Sequence, residues 1–436
     1  MTREPDWVQH VVWWQVYPLG VAGADISGRS RAATPALARI GDWLDYTLEL
    51  GASGVALGPI FESSTHGYDT TDYLRIDARL GTDSDFDDLV AAAHTRGLRV
   101  LLDGVFNHVG REHHAFQDVL AHGSRSPYCS WFRLRWPDGP DGPPEYDDFE
   151  GHSQLVALDH DSPEVTAMVT RVMTHWLDRG VDGWRLDAAY AVPPKFWAQV
   201  LPVVREKHPD AWIVGEVIHG DYVEVVQASG MDSVTQYELW KAIWSSLQDG
   251  NFYELDAAME RHNAFLDAFV PLTFVGNHDV TRIASRISDS RHLAHAVVVL
   301  FTLGGTPSVY YGDEQGFRGV KQERVGGDDE IRPALPSSPS QLSPLGEPVL
   351  RLHQELIGLR RRHPWLHTAH STVVQLSNEQ LIYDVSAEST QRLRVALNLS
   401  DTTYRVAADG LALQAGEAAA TGADFTLEPH GWAVLC

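Results

Sequence analysis

The sequence predicts an α/β chain organised around a closed (β/α)8 barrel, and three observations predict it. Eight short apolar or β-branched runs alternate with amphipathic helical stretches, the count a closed parallel barrel needs. Four acidic segments end such runs: Asp103 in LLDGVFNH, Asp187 in GWRLDAAY, Glu216 in IVGEV and Asp279 in FVGNHDV. Their spacing fits a strand–helix repeat. Asp187 and Glu216 are 29 residues apart (one repeat), Glu216 and Asp279 are 63 apart (two), and Asp103 and Asp187 are 84 apart, one repeat with a long insertion. A barrel brings such groups together at the C-terminal ends of its strands.

In chain order the strands are expected at 11–18 (VVWWQVYP), 52–59, 98–104, 181–187, 211–217, 233–237 (SVTQY), 270–276 and 306–312. Helical stretches such as TPALARIGDWLDYTLELG and DFDDLVAAAHTRG separate them. An open doubly wound sheet is disfavoured, because the chain has no GxGxxG or Walker-type phosphate loop. Residues 108–158, rich in aromatics, Gly and Pro, are too long for a connection and read as an inserted domain after strand three. From 366 to 436, short alternating runs (STVVQL, LIYDVS, RLRVALNLS, GWAVLC) predict a C-terminal antiparallel β-sandwich. Residues 1–107 and 159–365 then form the barrel, and the polar loop 313–345 after strand eight borders its mouth.

Composition narrows the function. The chain has 436 residues, 44% of them hydrophobic, enough for a barrel and smaller units. Cys129 and Cys436 form neither a disulfide framework nor a CxxC pair. The N-terminal segment lacks the pattern of a secretory signal, and no apolar run reaches spanning length, so a cytoplasmic protein is expected. A formal charge of −25 disfavours nucleic acid and anionic membranes as partners, but not a neutral substrate.

A single aspartate at a strand end is more often a helix cap than a catalyst. Four carboxylates in barrel register, with His108, Arg185 and His278 in the same segments, point to a site. Side chains alternate along a strand, so Arg185 and Asp187 face the same way. The guanidinium favours the ionised carboxylate, which suits Asp187 as a nucleophile. Glu216 follows Ile-Val-Gly without a neighbouring cation in sequence, which suits a protonated general acid/base. Asp279 adds a third carboxylate to stabilise positive charge on a sugar ring. Two carboxyl groups about 5–5.5 Å apart predict a retaining double displacement on glycosides.

DGVFNH, GWRLD, GEV and FVGNHD resemble the four signature segments of the α-amylase family of retaining glycoside hydrolases. QVYP, GYDTTDY and GTPSVYYGDEQG agree with it, across a TIM barrel of about 350 residues. The resemblance implies Asp187 as nucleophile, Glu216 as acid/base and Asp279 as transition-state stabiliser. It implies that His108, Arg185 and His278 bind the sugar at the cleaved bond, that Tyr68 stacks on it, and that Asp103 supports Arg185. The insertion becomes the family's domain B. SPYCSWFRL and FEGHSQLVALDHDSPEV look like the cyclomaltodextrinase and neopullulanase branch, and GEVIHG looks like its GEVWH, which puts His219 on the leaving-group side. LVALDH replaces the usual LPKLN, a departure that leaves the substrate open. Ala188 after the nucleophile resembles members preferring α-1,4 bonds, where Val often accompanies α-1,6 cleavage.

No cofactor is required on this reading. A structural calcium would use Asn107 and Asp159, although Ala191 replaces the customary histidine four residues past the nucleophile. Trp131, Phe132 and Trp136 are candidates for a sugar-stacking wall, and His113 and His114 are expected at the surface. The expected activity is retaining hydrolysis of α-glucosidic bonds, mainly α-1,4, in small linear or cyclic malto-oligosaccharides, by a monomer or homodimer. A transglycosylase or isomerase (trehalose-forming or sucrose-using) shares the same intermediate. A non-catalytic amylase-like binding module would be expected to lose the nucleophile or the acid, and this chain keeps both.

Overall fold

In the computed structural model, which describes residues 4–140, 142–324, 326–387 and 391–436, the eight expected runs all form parallel strands. The first three residues of the N-terminal segment, Asp141 in the insertion and Val325 in the loop after strand eight lie outside the described residues. The strands are Trp13–Val16, Gly54–Leu57, Arg99–Gly104, Gly183–Leu186, Trp212–Gly215, Ser233–Val234, Leu272–Phe274 and Thr306–Tyr310, called one to eight. They pair in the order six, five, four, three, two, one, eight, seven. A parallel bridge between Thr235 and Leu272 joins strands six and seven, so the sheet closes on itself.

Two apolar layers hold the barrel. Inside, Trp13 of strand one stacks on Trp212 of strand five at 5.7 Å, with Leu101, Val214 and Leu272 around them. Outside, the helices bury one stripe each. Pro163–Asp178 starts at Ser162, whose hydroxyl accepts the Val165 N–H, and Pro163 occupies the first turn where no donor is needed. Its Val165, Val169, Val172, Met173 and Trp176 recur at helical spacing and are buried on the sheet. Fully burying each such side chain stabilises by about 1.5–3 kcal/mol. Asp83–Thr95 begins with a capping box in which Thr82 and Asp85 satisfy each other's backbone N–H.

The insertion is built on His108–Gly110, which pairs antiparallel with His152–Ala157, and on the helix His114–His122. Two expectations fail here. His113 is buried, and its Nδ1 accepts the Ala115 N–H as the cap of that helix, while His114 is exposed. Phe132 is buried against Phe116, with centroids 5.2 Å apart, so it belongs to the insertion's core and not to a sugar-facing wall.

The C-terminal strands His370–Leu376, Gln380–Ser386, Arg392–Asn398, Trp432–Leu435 and Leu413–Gly416 form one antiparallel sheet. Tyr404–Ala407, Asp424–Leu427 and Ala419–Thr421 form a second. Ile382, Ala396 and Leu435 of the first share one apolar cluster with Tyr404, Val406 and Leu427 of the second, the two-layer core of a sandwich. No described helix is long and apolar enough to cross a membrane.

Candidate active site

Arg185 organises the barrel mouth. It lies in strand four between strands three and five, in register with Asp103 on one side and Val214 on the other. Its guanidinium is therefore within reach of both neighbours' strand ends. Nη1 is 2.8 Å from both Asp103 oxygens and 2.9 Å from Asp187 Oδ1. Nη2 is 2.7 Å from Glu216 Oε1. One buried fork thus holds three carboxylates, and it fixes Asp187 and Glu216 within a single guanidinium's span of each other.

This corrects the sequence reading of both groups. Glu216 does have a cation beside it, because the neighbour that matters is across the sheet and not along the chain. Asp187 is not held low. Burial pushes its carboxyl above the usual carboxylate range; Arg185 opposes this, and repulsion from Glu216, Asp103 and Asp279 adds to it. Burial likewise raises Asp103 against the pull of Arg185. Asp187 and Asp103, both buried and crowded by other carboxylates around one guanidinium, retain protons that isolated ones would lose.

Glu216 is further positioned by two donors. The Ala188 N–H reaches Oε2 at 3.0 Å, and the Tyr237 O–H reaches Oε1 at 3.1 Å. Ala188 offers its N–H from a left-handed conformation, φ 45° and ψ 37°, rare for a residue with a Cβ. Asn277 donates to the Tyr237 oxygen at 2.9 Å, and its own Oδ1 accepts the Asp279 N–H at 2.8 Å. The loop carrying Asn277, His278 and Asp279 lies close upon the buried Arg282–Asp313 ion pair: a Cβ on Gly276 would sit 2.1 Å from Asp313 Oδ2.

Asp279 faces the opposite balance. Burial opposes its ionisation, but His278, Arg332 and Arg185 together outweigh burial and hold the carboxyl below the usual range. His278 Nε2 is 2.9 Å from Oδ2, and Arg332 Nη2 is 2.8 Å from Oδ1. Arg332 also donates to the His278 carbonyl at 2.8 Å and lies over the Tyr17 ring at 4.7 Å.

The rings complete the wall. Tyr68 stacks on His278 at 5.4 Å, its hydroxyl donating to Asp103 Oδ2 at 3.1 Å and meeting His278 Nε2. His108 Nε2 bonds the Tyr68 carbonyl at 3.0 Å, and its ring stacks on Phe149 of the insertion. His219 is exposed at the rim, 5.5 Å from the Tyr190 ring. Asp103, Arg185, Asp187, Glu216, His278, Asp279 and Tyr68 therefore converge, with His108 beneath Tyr68 and His219 outside. Sequence reasoning missed Gln15, whose Nε2 lies 3.3 Å from His278 Nδ1, and Tyr237, Asn277 and Arg332. Tyr237 closes the expected sixth strand and Asn277 lies inside a quoted segment, so both were reachable; Arg332 comes from a loop without periodicity.

Asn107 and Asp159, the calcium candidates, both have protein partners. The Asn107 amide nitrogen bonds His108 Nδ1 at 3.1 Å, while the Asp159 carboxylate has Arg133 Nε at 3.5 Å and takes the Asp161 N–H. A cation wanting roughly six to eight oxygens would compete with the Arg133 guanidinium for Asp159 and would need further oxygens from backbone or water.

Comparison with known proteins agrees with this architecture. The family model for the α-amylase catalytic domain matches residues 15–380. A cyclomaltodextrinase from Geobacillus thermopakistaniensis is 31% identical over 430 residues, covering 93% of this chain and 71% of that protein. A maltogenic α-amylase from Bacillus acidopullulyticus is 31% identical over 91% of this chain and 71% of its own length. Among solved structures, the cyclic α-maltosyl-(1→6)-maltose hydrolase from Arthrobacter globiformis, in complex with that cyclic sugar, superposes with a TM-score of 0.84 at 29% identity, covering 99% of each chain. On barrel, carboxylate cluster and matched length together, the chain belongs to the α-amylase family and is a glycoside hydrolase.

Proposed function

We propose that this enzyme hydrolyses α-glucosidic bonds, mainly α-1,4, in small linear or cyclic malto-oligosaccharides, with retention through a covalent glycosyl-enzyme. The observation that carries the reading is the bridging of Asp187 and Glu216 by one guanidinium in the barrel mouth. The Asp187 carboxylate attacks the anomeric carbon while Glu216 gives its proton to the departing glycosidic oxygen. The C–O bond to the leaving sugar breaks as the Asp187 ester forms. Glu216, now a carboxylate, takes a proton from water, which attacks the same carbon and frees Asp187. Asp279, kept anionic, opposes the positive charge that builds on the ring between the two steps. His278, His108, Tyr68 and Arg185 line the cleaved-bond sugar, and His219 at the rim meets the leaving side.

The proteins named above support the substrate class, since their names point to cyclic maltodextrins, to maltose release and to a cyclic maltosyl-maltose. An intracellular maltogenic amylase from Bacillus subtilis, 30% identical over 73% of this chain, fits action on oligosaccharides inside the cell. Initial-rate assays on maltotriose, panose, pullulan, cyclodextrins and the cyclic maltosyl-maltose tetramer, with product anomers followed by proton NMR, test the proposal. An α-anomer as the first product is expected; a first-formed β-anomer, or no cleavage of any of these sugars, would overturn it.

A further inference from the structure

Far from the mouth, where the barrel meets the C-terminal sandwich, two histidines face each other nitrogen to nitrogen. His292 Nε2 lies 3.0 Å from His430 Nδ1. His292 ends the turn Ser290–His292 and caps the barrel helix Leu293–Thr302; His430 is on the loop between Asp424–Leu427 and Trp432–Leu435. Asp289, at the start of the same turn as His292, brings Oδ2 to 4.0 Å from His292 Nε2. These three ligand atoms all lie within 4.8 Å of one another, the one such group of histidine, cysteine or acidic side chains among the described residues.

We infer that Asp289, His292 and His430 form a binding site for a single zinc-like divalent transition-metal ion, which ties the barrel to the sandwich. Two nitrogens on one zinc, at bond lengths near 2.0–2.1 Å, are about 3.3 Å apart, so the histidines need to part by only a few tenths of an ångström. Two imidazoles with one carboxylate select zinc, cobalt or nickel over calcium and magnesium, and leave a fourth position for water. The second nitrogen of His430 is also engaged as a ligand histidine requires. Nε2 is 2.8 Å from Asp401 Oδ1, so its proton points to that carboxylate and leaves the Nδ1 lone pair directed at His292. The backbone contributes as well. His430 sits at φ 56°, a left-handed conformation that a histidine adopts at a cost, and its N–H is fixed to the Ser400 carbonyl. Arg291 is the competing charge: its Nε lies 3.0 Å from Asp289 Oδ1 and its Nη2 2.6 Å from Oδ2, so a metal ion must displace this guanidinium, whose side chain is 56% exposed.

The test uses the full chain stripped with a chelator and then titrated with Zn2+ by calorimetry, and with Co2+ followed by its visible absorption. The wild type is expected to take up one tightly bound equivalent, to give the intense Co2+ bands of a low-coordinate nitrogen and oxygen site, and to melt at higher temperature with Zn2+ than without. His430→Asn removes the imidazole yet suits the left-handed backbone, and should lose that equivalent and the thermal gain while keeping hydrolytic activity. Asp289→Asn should weaken both. Asp187→Asn, at the barrel mouth, should leave zinc uptake intact, separating this site from the acids there. A wild type that binds no more Zn2+ than His430→Asn means the two rings merely share a proton, and overturns the inference.

Discussion

Arg332→Met removes a cation whose work can be read atom by atom. Arg332 gives Nη2 to Asp279 at 2.8 Å and Nε to the His278 carbonyl at 2.8 Å. A hydrogen bond to a charged group contributes about 1.5–3 kcal/mol, which is about ten- to 150-fold in kcat/KM if it acts on the transition state. The Asp279 side chain is 32% exposed toward the mouth, so solvent screening places the effect near the lower end. The loss should appear mainly in kcat, because Asp279 opposes charge that exists only during bond cleavage. The pH profile supplies a second reading. Burial pushes the Asp279 carboxyl up, and His278, Arg332 and Arg185 outweigh it. Without Arg332 the Asp279 carboxyl protonates more easily, but the acid limb of kcat should stay where Asp187, which binds its proton more tightly, places it. Stability follows the same sign: a depressed carboxyl contributes stability above its unfolded pKa that is lost as pH falls through the folded value. The variant should therefore unfold at lower urea near neutral pH, with the gap narrowing in acid. Arg332→Lys keeps the charge but not the fork, and should fall between. Initial rates on maltotriose from acid to neutral pH decide it; wild-type kcat in Arg332→Met would refute the reasoning.

Asp187→Asn should abolish turnover yet raise the melting temperature near neutral pH. The folded Asp187 carboxyl binds its proton more tightly than the unfolded one, so its ionised form costs stability as pH rises; melting curves should show the gain vanishing in acid, where the wild type is protonated too. Glu216→Gln should slow oligosaccharide hydrolysis by about 10²–10⁴-fold but spare the first step on α-glucosyl fluoride, whose leaving group needs no proton; an equal loss on both substrates would deny Glu216 the acid role. Arg282→Met leaves Asp313 buried without its partner and should cost about 3–5 kcal/mol in a denaturant titration, with Arg282→Met/Asp313→Leu recovering much of it.

The barrel was legible because each strand carries its own signal: a buried parallel strand must be apolar nearly throughout, and runs such as LRVLLDG and AWIVGEV say so locally. The acids were legible for the same reason, since each ends such a run. Their electrostatics were not. Arg185 reaches Glu216 only because strands four and five are neighbours, and the desolvation of Asp187 is a property of everything packed around it. Arg332 contacts Asp279 from 53 residues away, through a loop whose path no periodicity announces. His113 was expected at the surface with His114, because neighbours in sequence do not share a helical face; instead it caps the helix that begins at His114, and its ring is buried. The facing of His292 and His430, 138 residues apart, depends on how two domains dock.

Ala188 sets a limit on how such an enzyme can be redesigned. Its left-handed backbone aims an amide proton at the carboxyl expected to protonate the leaving group. A β-branched residue there would strain against the turn. Swapping in valine to court a different linkage would therefore also loosen the seat of Glu216, so bond preference and acid strength cannot be dialled separately. Glycine makes the opposite trade, accepting the turn at no steric cost while giving up a buried Cβ that packs there. Engineering selectivity at this position is engineering the backbone first, and the sugar learns of it second.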